Sequence, residues 1–410
     1  MSDSGSSLSD LDYSSFNNIL VINKYLLVKE IGYGACSSVW LSYNIDDHNF
    51  CAIKINNPEG DDYTKTEISM GKLLRTKIPS KSFMSAPYDS FFVANDGEDY
   101  YCTVFKLYGG SMLNVIQSPL YSKGLPFMLA LHFLKQLLHA LDILHNEFAY
   151  LHTDIRPDNI LISDLPKEYL DYMARYVLEM RRFAEGLPIS NNKIYESLSA
   201  KIAEKLGDGQ ISSSSSKGYN YSLSSESYCV LHDFGMMRED DGEPHKVGAF
   251  DFRAPEVLLE LASGRGCDVW ALGCTFYEML TGKELFSSEK FPEDSPYDER
   301  IEMLSEMFAL CGYLPTSLIK DSPLQKDFFI KQRNKYLLVK DYECPRKPIS
   351  MEELLKENIA TKLSKRSMDL LLSIFNKLLH IDPQVRDKLN YRSMIAQIDG
   401  FLRSHKFYER

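Results

Sequence analysis

The sequence predicts an α+β protein of two lobes, a small β-rich lobe over residues 24–107 and a larger helical lobe over 108–405. Three observations carry this. Short apolar runs rich in β-branched and aromatic residues crowd the first part of the chain. Amphipathic helical patterns dominate the remainder. A polar, Ser-rich segment then interrupts the second part between two short apolar runs, NILI and CVL. At 410 residues the chain is long enough for two lobes around a large core.

Residues 1–23, beginning MSDSGSSLSDLDYSS, read as a disordered Ser/Asp-rich tail without the apolar stretch of a signal peptide. From Lys24 onward KYLLVKEI, SSVWLSYNI, NFCAIKI and YYCTVFKLY read as strands, with YTKTEISMGKLLRT as the one helix among them. After Tyr108 long helices follow, of which PFMLALHFLKQLLHALDILH is typical. Beyond NILI, DLPKEYLDYMARYVLEMRRFAEG reads as a helix and KIYESLSAKIAEKL as a weaker one, before the run SSSSSKGYNYSLSSES. Residues 163–228 are therefore a spacer insert, helical at its start and Ser-rich at its end. It separates two short strands that the chemistry below requires side by side.

The net charge of −11 disfavours nucleic acid as the main partner and suits basic peptides. The eight Cys lie scattered in apolar runs with no C-x-x-C pair, the pattern of buried reduced thiols in a reducing compartment. No apolar run is read as long enough to span a bilayer. The expectation is a soluble, monomeric protein of the cytoplasm or nucleus, bound neither to membrane nor to nucleic acid.

In IGYGACSSVWL, Gly32 and Gly34 sit in a strand–turn–strand context where backbone N–H groups can approach phosphates, with Ser37 at the place of a third glycine. Ile31, Val39 and Ala52 belong to the same nucleotide-facing surface. CAIKI puts Lys54 inside an apolar strand, a costly position unless it meets anions. Its expected partners are ATP phosphates and a carboxylate on the following helix, Glu67. In LHTDIRPDNILI, Asp154 is placed to take or orient a hydroxyl proton and Asn159 to hold Mg2+. HDFG supplies Asp233 as the main Mg2+ ligand. RAPE, DVWALGC and DPQVR follow in that order. They predict a buried Glu256–Arg386 ion pair and an Asp268 that braces the catalytic-loop backbone. Together these motifs resemble those of protein kinases, which implies the bilobal protein-kinase fold with ATP and Mg2+ as cofactors. The resemblance also makes VFKLYGG the hinge, with Phe105 as gatekeeper and Lys106 and Tyr108 meeting adenine through their backbones.

In most such enzymes the residue before the catalytic Asp is an Arg that docks an activating phosphate; here it is Thr153. Between Gly235 and Ala254 the chain reads MMREDDGEPHKVGAFDFR, without one Ser, Thr or Tyr. The dock and the acceptor are missing together, so no phosphorylation of this segment is expected to be needed. With Thr153 in place, the acidic REDDGE run has no Arg at that site to meet.

The chain further resembles the SR-protein kinases, which phosphorylate Arg-Ser repeat proteins. Their catalytic loop, H-T-D-I-K-P-E-N, is close to HTDIRPDN, and their glycine loop, G-W-G-x-x-S-T-V-W-L-S, is close to GYGACSSVWLS. Their spacer falls between the same two strands, and an insert late in the helical lobe is similar to Leu318–Phe329. The resemblance implies a constitutively active Mg-ATP-dependent serine/threonine kinase acting on Arg/Ser-rich proteins. It places the family's substrate-docking acids at Glu299 and Glu306 in DERIEMLSEMFALCG. There Glu299, Glu302 and Glu306 share one helical stripe, while Ile301, Leu304, Phe308 and Cys311 form the buried one. Departures are Arg156 for a Lys, Ala249 for a Thr that ties the catalytic Asp to its basic neighbour, and Phe252 for a Tyr. The alternatives are a kinase of other basic substrates and a catalytically silent scaffold. The presence of Lys54, Asp154, Asn159 and Asp233 speaks against silence.

Overall fold

The computed structural model describes residues 21–34, 37–56, 62–77, 82–95, 97–184, 201–202, 205–206, 219–245, 248–292, 294–333, 335–343 and 347–409. Two compact units are not two consecutive halves of the chain. One gathers Met1–Ile78, Ser85–Gly109 and Asp164–Ser222, the other Pro79–Met84, Gly110–Ser163 and Leu223–Arg410. The insert thus groups with the first unit, whereas the sequence set it inside the helical lobe.

The first unit is a six-stranded antiparallel sheet in the order β1 (Val21–Ile22), β2 (Tyr25–Gly34), β3 (Ser37–Asn44), β4 (Asn49–Asn56), β6 (Glu98–Lys106), β5 (Asp89–Asn95). Helix α1 (Asp62–Lys77) follows β4. Ile22, Tyr25, Leu27, Trp40, Ile53, Ile55 and Val104 form its core, the alternate positions that a pleated strand turns to one face. Val21 and Ile22, assigned to the tail from sequence, instead pair with Leu26 and Tyr25. Asn23 makes that turn at φ 56, a conformation Asn tolerates, and it buries Ile22. Strand β5 was not singled out either; it is polar at both ends and has no buried residue, with Phe92 and Ala94 exposed and the rest half-buried. Residues 1–20 and most of the expected Ser-rich run lie outside the described residues.

The insert opens with the helix Lys167–Ala184, which sets Tyr176 against Tyr43 and Phe50 at ring distances of 6.2 and 5.8 Å. Of the weaker helix only 201–202 and 205–206 are described, both helical. At its far end Tyr221 donates its hydroxyl to the Gly109 carbonyl at 3.0 Å. A Cβ on Gly109 would stand 1.8 Å from the Asp164 carbonyl oxygen, so only glycine lets the chain pass there.

The second unit is helical around Gly266–Thr281, a helix buried along its whole length. The stretch Phe127–Glu147, 21 residues of mean hydropathy 1.4, is long and apolar enough to cross a membrane by length and composition alone. That corrects the sequence reading, which found no such run. It is 72% buried inside the protein, and a helix covered on nearly every side has no need of a polar face. Two short ladders position the chemistry: Ile160–Ile162 with Cys229–Leu231, and Tyr150–Leu151 with Arg238–Glu239. The late insert forms two short helices and the hairpin Phe329–Gln332/Lys335–Leu338. Five of the six described cysteines are buried and all six are free thiols.

Candidate active site

The residues singled out from sequence divide between the two units. In the first, register places Gly32 opposite Val39 and Gly34 opposite Ser37. Val39 in turn faces Lys54, and Ala52 faces Phe105. A Cβ on Gly32 would meet only Val39, at an ordinary 3.7 Å. Its own strand does not demand glycine there, and an open surface is what an approaching phosphate needs. Phe105 is buried, Lys106 exposed and Tyr108 half-buried, with the Lys106 ammonium 5.8 Å from the Tyr108 ring centroid. Ile31 is half-buried on β2.

Lys54 and Glu67 come together: Nζ lies 2.9 Å from Oε1, with side chains 5% and 7% exposed. A buried Lys–carboxylate pair this close offsets much of the desolvation of both ions. The second oxygen of Glu67 accepts from Asn56 Nδ2 at 2.9 Å. Sequence reading did not single out Asn56. A buried amide two residues after Lys54, on the same face of an apolar strand, is the signal that could have found it.

In the second unit the catalytic loop is braced from below by Asp268. Its Oδ2 accepts the His152 N–H at 2.7 Å and its Oδ1 the Thr153 N–H at 2.8 Å. His145 Nε2 meets Oδ2 at 2.8 Å, while Nδ1 of the same ring accepts from the Tyr391 hydroxyl at 2.7 Å. Complete burial pushes the Asp268 carboxyl up, but these donors outweigh it and hold the group below its ordinary range. Beneath lies the expected ion pair: Arg386 Nη2 contacts both Glu256 oxygens at 2.5 Å, with side chains 0% and 1% exposed.

Asp154 is held from two sides. Asn159 Nδ2 donates to its Oδ2 at 2.7 Å and to its carbonyl at 2.9 Å. The Ala249 N–H donates to Oδ1 at 3.2 Å. With no hydroxyl at position 249, the backbone reaches Asp154 alone and does not bridge it to Arg156. Arg156 spans Asp154 (Nε to Oδ2, 3.6 Å) and Asp158 (Nη1 to Oδ2, 3.3 Å). A concavity beside Asp154 is lined by Thr153, Gly248, Ala249, Phe252, Arg253 and Val257.

Asp233 follows the strand Cys229–Leu231 at φ 64, and His152 Nε2 donates to the carbonyl of its neighbour His232 at 3.0 Å. That bond couples the catalytic loop to HDFG. Because Asn159 turns its Nδ2 toward Asp154, its amide oxygen is left as the hard donor, and Asp233 adds a carboxylate. No group of three His, Cys, Asp or Glu able to hold a metal occurs among the described residues. An amide oxygen and a carboxylate are hard donors of the kind Mg2+ takes beside waters and phosphate oxygens.

The segment after HDFG is tied at both ends to Thr153. Its hydroxyl donates to the Met236 carbonyl at 2.8 Å. Gly248, at φ 76, comes so close that a Cβ would stand 2.6 Å from the Thr153 carbonyl oxygen. The acidic run finds an arginine elsewhere, away from position 153: Asp240 Oδ2 lies 3.6 Å from Arg265 Nε.

Glu299 is exposed and Glu306 half-buried on the helix Glu299–Cys311. Glu302 does not join them in solvent. It is 2% exposed, ion-paired with Lys340 and bonded to the Ser295 hydroxyl at 2.6 Å. Of the stripe read as buried, Ile301, Leu304 and Phe308 are so, and Cys311 is only half-buried.

Comparison with known families matches the protein kinase domain over residues 25–170 and 217–390. Among curated proteins, the chain is similar to the serine/threonine-protein kinase SRPK of Physarum polycephalum, 28% identical over 93% of this chain and 88% of that protein. It is similar to the protein kinase dsk1 of Schizosaccharomyces pombe, 23% identical over 90% and 79%. SRSF protein kinase 3 of Homo sapiens is 29% identical over 47% of this chain and 34% of its own length.

Proposed function

From a chain that belongs to the protein kinase domain family, we propose a constitutively active kinase that transfers phosphate from Mg·ATP to serine in Arg/Ser-rich proteins. The observation that carries the reading is Asp154, whose carboxylate is held by Asn159 and Ala249 at the edge of a small concavity. When bound, Mg·ATP supplies the phosphoryl group together with the cation that neutralises it. Lys54, oriented by Glu67, would hold the phosphates, and Asn159 and Asp233 the Mg2+. Asp154 orients the acceptor hydroxyl and takes its proton at a carboxylate oxygen. Arg156, bridging Asp154 and Asp158, sets a cationic fork beside that oxygen.

Independence from activating phosphorylation is supported by the Thr153–Met236 bond, the close approach of Gly248 and the Asp240–Arg265 pair. Each of the three involves only unmodified residues. The choice of substrate is supported by the names of the Physarum and human relatives and by the acids Glu299 and Glu306. Arginines would engage such carboxylates through bidentate pairs. Because Glu302 is withdrawn into the protein, the acidic face is narrower than the sequence stripe. That favours, as the second reading, a basic substrate of other sequence.

The test is purified protein with Mg·ATP and three peptides: Arg-Ser, neutral Ser and Tyr. The Arg-Ser peptide should be phosphorylated without a lag, and Glu299→Ala with Glu306→Ala should raise its KM, most at low salt. Equal rates on the neutral peptide would remove the Arg/Ser assignment, and a requirement for an upstream kinase would remove the constitutive one.

A further inference from the structure

Helix α1 is seated unevenly. Its buried side chains among the described residues are Thr64, Glu67, Met70 and Leu74, one face at intervals of three and four. The apolar members, Met70 and Leu74, both lie in the C-terminal half. The N-terminal half carries the carboxylate that Lys54 requires, and its buried side chains among the described residues, Thr64 and Glu67, are polar. Lys54 and Asn56 are alternate residues of β4 and so point the same way, 4% and 0% exposed. Between them they take both oxygens of Glu67, Oε1 by Lys54 Nζ and Oε2 by Asn56 Nδ2, each at 2.9 Å.

A carboxylate held through one oxygen can rotate about its last torsion and swing with its helix; held through both, it can do neither without breaking two buried contacts. Burying a carboxamide in a strand whose neighbours are Ile53 and Ile55 is unfavourable unless its hydrogen bonds are made. Asn56 makes one such bond, from Nδ2 to the one carboxylate that orients Lys54, while its Oδ1 has no partner among the described residues. We propose that Asn56 is a positioning residue: a second latch on Glu67 that keeps α1 in its ion-paired place without covalent activation. Its effect on rate rests on the kinase reading; its effect on α1 does not.

Two substitutions test this in the full chain. Asn56→Val keeps a strand-forming side chain and removes the latch. Amide hydrogen exchange across Asp62–Lys77 should quicken at least about tenfold, with β4 and β6 unchanged and the melting midpoint within a few degrees. The KM for ATP should rise about tenfold, with a smaller change in kcat. Combined with Glu67→Ala, Asn56→Val should add no further loss, because the latch acts only through that carboxylate. Asn56→Asp has nearly the same shape but sets two carboxylates side by side. They must share a proton, so the variant should lose ATP affinity as pH rises, along a limb that wild type lacks.

Unchanged exchange in α1 for Asn56→Val, or additive losses with Glu67→Ala, would overturn the proposal. So would an Asn56→Asp profile that follows wild type, since Asn56 would then only fill space. If wild type transfers no phosphate, the kinase reading fails, and hydrogen exchange alone still decides the latch.

Discussion

Thr153 donates its hydroxyl to the carbonyl of Met236 across 2.8 Å. The bond joins the residue before Asp154 to the first residue after HDFG. Thr153 makes it at φ 70, an unusual conformation for a β-branched side chain, and the N–H contact to Asp268 helps hold it there. Thr153→Val keeps the shape and removes the donor. Losing a hydrogen bond of about 1 kcal/mol predicts a several-fold lower kcat with the KM for ATP retained. Steady-state kinetics would read this, and an unchanged kcat would mean that the bond does not order the segment.

Asp154→Asn removes the proton acceptor and retains an isosteric side chain. Phosphate transfer should fall by about 10²–10⁴-fold, with nucleotide binding preserved in a fluorescence titration. Transfer at the wild-type rate would end the kinase assignment.

Glu256 and Arg386 are both fully buried. Glu256→Ala strands a guanidinium in the interior and should destabilise the second unit by about 3–5 kcal/mol, seen as a lower urea midpoint. Glu256→Leu with Arg386→Met should recover only part of this. Arg386 also donates to the carbonyls of Gly266, His380 and Ile381, which the double variant leaves without that donor.

Glu278, on the central helix, is pushed up to about 8 by burial, with Glu284 and Asp158 adding repulsion. A carboxyl raised in the folded state keeps its proton when the unfolded chain has lost it. Stability should therefore decline as pH rises from the ordinary carboxylate range to about 8. Glu278→Gln abolishes that decline, so its melting temperature should exceed wild type by a few degrees at pH 8 and match it near pH 4. Parallel melting curves across this range would refute the shift.

Much of the site was legible because each motif is local. The spacing of Lys54 and its strand, of HTDIRPDN and of HDFG follows from one ladder or one loop, and the structure brings Lys54 to Glu67 and Asn159 to Asp154. What escaped depends on chain that is remote in sequence. Helical periodicity put Glu302 beside Glu299 and Glu306, but Lys340 and Ser295 draw it inward. Asp240 meets Arg265 only after the segment has folded back. Phe127–Glu147 is apolar on nearly all sides because its surroundings cover it, which a count of polar residues in the helix cannot anticipate. Val21–Ile22 is too short to show a strand period, and one buried isoleucine decides it.

The chain leaves the ladder at Ile162 and re-enters it at Cys229, in antiparallel register with the strand it left. The closure entropy of such an excursion grows only with the logarithm of its length. Extra residues spliced into its Ser-rich stretch would therefore tax the ladder very little, while a single side chain added at Gly109, where the departing strand of chain passes within van der Waals range, would block it. Nature and the protein engineer thus have a port for cargo between two halves of one catalytic hairpin, with a gatepost that admits no ornament.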